Sequence, residues 1–162
     1  MQKLPFQFTQ INIRHAKPEE AEQLSQLALQ SKGHWGYSEE FLQRCKEELS
    51  YSEQQLRSDA YYFAVAQSDE EILGFYALDY SHKNYAELEA LFVEPEAIGV
   101  GIGKQLMKAA CQQARLNGAK LLRIQGDPNA TKFYQASGGK LVGQLASLSI
   151  PGRMLPIFEV TL

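Results

Sequence analysis

The sequence predicts an α/β (α+β) chain built on a mixed central β-sheet of about seven strands flanked by about four helices. Three observations lead there. Strand-like and helix-like apolar periodicities alternate along nearly all of the 162 residues, the pattern of helices laid on a sheet. An apolar run ending at Val93 passes through a glycine turn straight into helical spacing. The chain then closes on two alternating runs, as an antiparallel hairpin would.

Taken in order, Ile11 and Ile13 separated by polar residues mark a first strand. Pro18-Glu-Glu opens a helix carrying Ala21, Leu24, Leu27 and Ala28. Proline is tolerated in a first turn, and acids suit the positive end of the helix dipole. This helix fades near Ser31-Lys-Gly33. Ser38 caps a second helix with Phe41, Leu42, Cys45 and Leu49 on one face, and Ser52 with Gln55 forms a capping box. Tyr61 to Gln67 and Ile72 to Tyr80 read as strands joined by the polar connection Ser68-Asp-Glu-Glu. Tyr85 to Val93 is the next strand, with Leu88, Leu91, Phe92 and Val93 as a buried run. After the glycines, Ile102, Leu106, Met107, Ala110 and Ala114 fall at helical spacing as far as Asn117-Gly118, a left-handed stop. Leu121, Leu122 and Ile124 form a strand expected to be buried on both faces. Asp127-Pro128 starts a helix that stops at Gly138-Gly139. Leu141, Gly143 and Leu145, then Phe158, Val160 and Leu162, supply the closing pair.

One compact domain over residues 1–162 is expected from this length and a 44% hydrophobic content, enough to bury a core. Net charge is −3 with the signs interspersed, so no nucleic-acid partner is expected. Cys45 and Cys111 stand alone at helical positions, without C-x-x-C or His-rich spacing. They read as free thiols of a reducing compartment rather than a disulfide or a metal site. No apolar run approaches the roughly 20 residues needed to span a bilayer, and Met1 to Phe6 lack a leader core. The expectation is a cytoplasmic protein with no membrane partner.

The segment Ile98-Gly-Val-Gly-Ile-Gly-Lys104 carries the chemistry. Glycines between strand and helix leave the first helical N–H groups bare, and these donors with the helix dipole suit a phosphate or pyrophosphate. A Walker loop fails, because Ile98 occupies its first glycine position and Gln105 follows Lys104. A dinucleotide fingerprint fails too, because Lys104 or Leu106 falls where its third glycine belongs. By residues alone the cluster is either an anion cradle or a tight strand-to-helix turn.

With Leu91-Phe-Val93-Glu-Pro95 before it, the segment resembles the coenzyme A pyrophosphate loop of the GNAT superfamily of acyl-CoA-dependent N-acyltransferases, apart from Ile98, which stands where the family usually has Arg or Gln. A second block, Asp127-Pro-Asn-Ala-Thr-Lys-Phe-Tyr134, is similar as well, and the element order agrees across nearly the whole chain. The resemblance implies a bacterial N-acetyltransferase using acetyl-CoA, without a metal, by direct transfer to a primary amine of a small molecule in a ternary complex. A homodimer is implied by resemblance alone. A non-catalytic acyl-CoA sensor and a protein N-acetyltransferase are the alternatives. Leu91, Phe92, Val93, Ile98, Gly99, Val100, Gly101, Ile102, Gly103, Lys104, Asn129, Phe133 and Tyr134 are the implied coenzyme A contacts, and backbone N–H groups from Leu91 to Val93 the oxyanion donors.

Coenzyme A leaves as a thiolate unless a proton is supplied, and a phenol on a rigid helix, Tyr134, can supply it. A half-buried core aromatic is the other reading of that residue. The attacking amine must be made neutral. Glu87 and Glu89 share a strand face, and Glu87 lies where some family members carry a base, so it comes first and Glu89 second; a solvated or cross-strand paired glutamate is the alternative for both. His34, Trp35 and Tyr37 in Ser31-Lys-Gly-His-Trp-Gly-Tyr-Ser38 occupy the family's acceptor region, with packing beneath the helix pair as the other role for Trp35. His34 can also assist proton transfer. Arg153 in Ile-Pro-Gly-Arg-Met-Leu-Pro156 either grips a carboxylate or ties its loop to the body.

Overall fold

The computed structural model describes residues 10–162, so the reading of Met1 to Phe6 lies outside it. Its strands are β1 (Asn12–His15), β2 (Tyr61–Ser68), β3 (Glu71–Asp79), β4 (Ala86–Val93), β5 (Leu121–Gln125), β6 (Lys140–Ala146) and β7 (Met154–Thr161). Its helices are α1 (Ala21–Gly33), α2 (Glu39–Cys45), α3 (Glu53–Arg57), α4 (Ile102–Leu116) and α5 (Thr131–Ala136). The strands make one sheet in the order β1-β2-β3-β4-β5-β7-β6. Every neighbouring pair is antiparallel except β4 and β5, which run parallel. A parallel pair needs a crossover, and α4 supplies it.

Local chemistry explains the boundaries. Ser38 Oγ accepts the Phe41 N–H at the start of α2, and Ser52 with Gln55 closes the capping box that starts α3. The acids Glu19 and Glu20 sit in the 3₁₀ turn leading into α1. Each face of the sheet has its own core. On one side Leu106, Met107 and Ala110 of α4 pack with Leu78, Leu88, Leu122, Ile124 and Phe158. On the other, Leu24, Leu27 and Ala28 of α1 pack with Cys45, Phe63, Phe75 and Ala90. Each fully buried Leu, such as Leu24 or Leu106, contributes about 1.5–3 kcal/mol, and these two helices thereby fix β4 from both sides.

Two irregularities of β4 position the site. Its register on β3 steps from Leu78↔Leu88 to Ala77↔Ala90, which leaves Glu89 as an extra, bulged residue. Its pairing with β5 covers only Ala86, Leu88 and the residue between them, so β4 runs on to Val93 while β5 departs. The strand β5 differs from expectation. Leu122 and Ile124 are buried, but Arg123 is only half-buried and Gln125 exposed, because α1 packs on β4 and, among the described residues, no helix covers that side of β5. The closing hairpin forms as expected, but every residue of β6 is exposed.

Candidate active site

The cleft where β4 and β5 separate gathers most of the expected residues. Glu94 donates its N–H to the Leu73 carbonyl at 2.8 Å. In an antiparallel ladder the outward and inward amides alternate, so Phe92 also faces β3 while the N–H groups of Leu91 and Val93 point into the cleft. Neither has a backbone acceptor outside the ladders among the described residues.

The glycine segment closes one end of the cleft. After the 3₁₀ turn Pro95–Ala97, Gly99 and Gly101 take φ of +93° and +88°, conformations open to glycine at little cost. Gly101 is the N-cap of α4, and the next loop amide to find an acceptor is that of Gln105, on the Gly101 carbonyl. The six N–H groups from Gly99 through Lys104 therefore have no protein acceptor among the described residues. Ile98 departs from expectation: its N–H is engaged by the Pro95 carbonyl at 3.4 Å. At Gly103 a Cβ would lie 3.4 Å from the Phe133 ring and 3.6 Å from Val93, ordinary contact distances, so the start of α4 meets both α5 and the end of β4.

Tyr134 is buried in the core on the α4 side of the sheet. Its ring packs against Phe158 and beside Gly126, the residue after β5. Burial, with a smaller contribution from the Asp127 carboxylate, raises its phenol above the usual range and keeps it protonated. It is thus a core aromatic whose phenol stays protonated.

The two glutamates differ. Glu87 is engaged, its Oε2 lying 2.9 Å from His82 Nε2, with Asp79 Oδ2 3.9 Å from the same nitrogen. The His82 ring is stacked on Tyr85. Glu89, on the bulge, has no hydrogen-bond partner among the described residues. Water reaches part of it, yet its carboxyl is pushed up to about 7, first by desolvation among surrounding protein atoms, then by the carboxylates of Glu87, Asp79 and Glu48, with His82 opposing. Glu87 is the first expected base and Glu89 the second; the β3–β4 loop supplies Glu87 with a partner, whereas the bulge leaves Glu89 without one among the described residues.

The acceptor side holds the arrangement that sequence reading missed. Asp127 receives the Asn129 N–H at 2.8 Å, the Tyr37 hydroxyl at 3.0 Å, Lys32 Nζ at 3.2 Å and Arg153 Nη2 at 3.4 Å. Burial opposes its charge, but the Asn129 amide, Lys32 and Tyr37 outweigh that and hold its carboxyl below the usual range. The Tyr37 oxygen accepts from Arg153 at 2.7 Å and from Asn129 Nδ2 at 2.8 Å, and the Arg153 guanidinium lies over the Phe41 ring. Four segments far apart in sequence are joined: the end of α1, the α1–α2 loop, the start of the α5 turn and the β6–β7 loop. Arg153 ties its loop to the body. His34 and Trp35 are exposed, Trp35 by 48%, so Trp35 does not pack beneath the helix pair. Asp127 reads as a helix cap in the sequence; its partners 26 to 95 residues away carry no local signal.

A separate groove of about 550 Å³ lies between α4 and the β1 edge, lined by His15, Tyr62, Tyr76 and Lys108 among others. Its lining includes no acidic residue. Among the described residues no helix is long and apolar enough to cross a membrane, and Cys45 and Cys111 are both free.

A model of the Acetyltransferase (GNAT) family matches residues 22–139. No curated protein matches the sequence. Among solved structures, the PaiA N-acetyltransferase of Thermoplasma acidophilum in complex with coenzyme A is 28% identical, with a TM-score of 0.76 over 94% of this chain and 99% of that one. An aminoglycoside 6'-N-acetyltransferase complexed with coenzyme A is 19% identical, with a TM-score of 0.70 over 93% of this chain and 96% of that one. An acetyltransferase of the GNAT family from Staphylococcus aureus Mu50 is 18% identical, with a TM-score of 0.71 over 94% and 99%. The last two share the fold with this chain.

Proposed function

Since this chain belongs to the acetyltransferase (GNAT) family, we propose that it moves an acetyl group from acetyl-CoA to a primary amine of a small molecule, directly and with both substrates bound. The observation that carries the proposal is the run of six unaccepted amides from Gly99 to Lys104 at the N-terminus of the fifteen-residue helix α4. Such donors with the helix dipole hold a diphosphate. Leu91 and Val93 then bind the thioester arm along β4, and Phe133 lines its other side. Asn129 keeps its side-chain oxygen for the same ligand, since only its Nδ2 is engaged with Tyr37.

Glu89 removes the ammonium proton, directly or through a water, and Glu48, Asp79 and Glu87 draw the protonated amine towards it. A base whose carboxyl titrates about 7 is matched to neutral pH. The neutral amine attacks the thioester carbonyl, and the amides of Leu91 and Val93 stabilise the oxyanion. As the C–S bond breaks, Tyr134 gives its proton to the departing sulfur and recovers one from the nitrogen through solvent. The Lys32, Tyr37, Asp127 and Arg153 cluster closes the acceptor side, which favours a small acceptor over a protein segment. His34 and Trp35 stand at its exposed rim.

The test is to incubate the protein with acetyl-CoA and a broad amine panel and to follow free thiol. Release above the no-acceptor background for one amine is the expected outcome. Coenzyme A binding without turnover of any small or peptide amine would make the chain a sensor instead.

A further inference from the structure

The end of β3 and the start of β4 set two carboxylates side by side. Asp79 and Glu87 are directly opposed in the antiparallel ladder, where Cβ atoms lie about 5 Å apart and like charges repel. A cation between them relieves that repulsion. The β3–β4 connection brings His82 back over the pair, with its Nε2 2.9 Å from Glu87 Oε2 and 3.9 Å from Asp79 Oδ2. The three atoms lie within 4.8 Å of one another. Two of the three side chains are held in place by neighbours: the His82 ring is stacked on Tyr85 with centroids 4.6 Å apart, and Asp79 Oδ1 accepts from the Ser81 N–H at 2.8 Å and from Ser81 Oγ at 2.6 Å. Asp79 Oδ2 is left without a hydrogen bond among the described residues, although its side chain is only 12% exposed.

We propose that Asp79, His82 and Glu87 form a binding site for a first-row divalent metal ion of the zinc type. The ligand atoms of a tetrahedral zinc ion stand about 2.0–2.2 Å from it, hence about 3.3 Å from one another, a spacing this cluster reaches by side-chain movements of roughly an ångström. Three protein ligands leave a fourth position to water. One imidazole beside two carboxylates suits zinc, whereas magnesium keeps its own waters and gains little from a nitrogen ligand. Ser81 supplies the outer hydrogen bonds that orient a ligating carboxylate. A protonated His82 is the rival cation, but it leaves Asp79 Oδ2 at 3.9 Å, beyond hydrogen-bond reach. A metal ion serves both carboxylates at once. In an N-acetyltransferase the same two carboxylates draw the protonated amine, so ion and acceptor compete; that consequence rests on the transferase reading, and the binding itself does not.

Calorimetric titration of zinc chloride into the full chain, free of chelator and of tag histidines and near neutral pH, is expected to show one ion bound per chain with a micromolar or lower Kd. His82→Gln is expected to weaken binding by about a hundredfold and Ser81→Ala by about tenfold. Zinc is expected to raise the melting temperature of the parent but not that of His82→Gln, whose metal-free melting stays near the parent's because the side chain is 35% exposed. Glu87→Gln, with the imidazole intact, is expected to lose zinc as well. Cys111→Ser and His34→Gln, which remove a free thiol and an exposed imidazole elsewhere, serve as controls and are expected to bind as the parent does. The absence of a one-to-one zinc isotherm overturns the proposal. So does a zinc affinity that survives both His82→Gln and Glu87→Gln, one that is lost in Cys111→Ser, or magnesium bound as tightly as zinc.

Discussion

Replacing Glu89 by Gln tests the base and its environment together. Raising the carboxyl from 4.5 to about 7 corresponds to about 3.4 kcal/mol of penalty on the charged form if the group were dry, at about 1.4 kcal/mol per tenfold. Water reaches Glu89, and screening reduces this to about 1–2 kcal/mol. The folded chain holds the proton more tightly than the unfolded chain. The stability linked to that proton is complete below 4.5 and is lost as pH rises through about 7. Glu89→Gln, which carries no charge at any pH, should therefore be about 1–2 kcal/mol more stable than the parent at pH 8 and nearly equal to it at pH 4. Urea unfolding at the two pH values reads this. In the same variant turnover should fall by about 10²- to 10⁴-fold, the range lost with a general base. In the parent the acid limb of kcat/KM should lie near pH 7, and Glu87→Gln should move it to lower pH by removing the nearest like charge. A Glu89→Gln protein with near-parental turnover, or an acid limb that ignores Glu87→Gln, would refute the assignment.

Tyr134→Phe should lower kcat strongly while coenzyme A affinity, read by calorimetric titration, stays close to the parent, because the lost hydroxyl acts on the leaving group rather than on binding. Gly101→Ala forces a side chain into φ +88°, which costs about 1–2 kcal/mol. It should weaken coenzyme A binding by twisting the amide run, with acceptor binding read separately. Asp127→Asn removes the charge on which Lys32, Tyr37 and Arg153 converge and should destabilise the fold by about 3–5 kcal/mol in thermal or urea unfolding near neutral pH. The depressed carboxyl of Asp127 gives the parent stability that is present above 3.8 and lost as pH falls below it. The acid arm of the stability curve should therefore be shallower in Asp127→Asn, with the part due to Glu20, also held below its usual range by Arg14, remaining. Arg153→Ala should raise the acceptor KM and leave the Kd for coenzyme A unchanged, since Arg153 fastens the β6–β7 loop and touches no amide of the glycine segment.

What the sequence determined by itself is local in origin. Periodicity at Leu24, Leu27 and Ala28, or at Leu106, Ala110 and Ala114, sets helices because side chains three and four apart share a face. Gly99, Gly101 and Gly103 announce bare amides because φ and the missing Cβ belong to each residue alone. The strand order, the splay of β4 from β5 and the fate of each carboxyl were decided by tertiary structure. Glu87 and Glu89 look alike in a string, and only the slip of register on β3 leaves one paired with His82 and the other free to titrate about 7. Arg153 had two readings until Asp127 and Tyr37 arrived from 26 and 116 residues away. The alternation of Leu141, Gly143 and Leu145 predicted a strand, but not that it would be the uncovered edge of the sheet. Exposure and pKa depend on what stands within a few ångströms, and those neighbours come from chain folded in from far along the sequence.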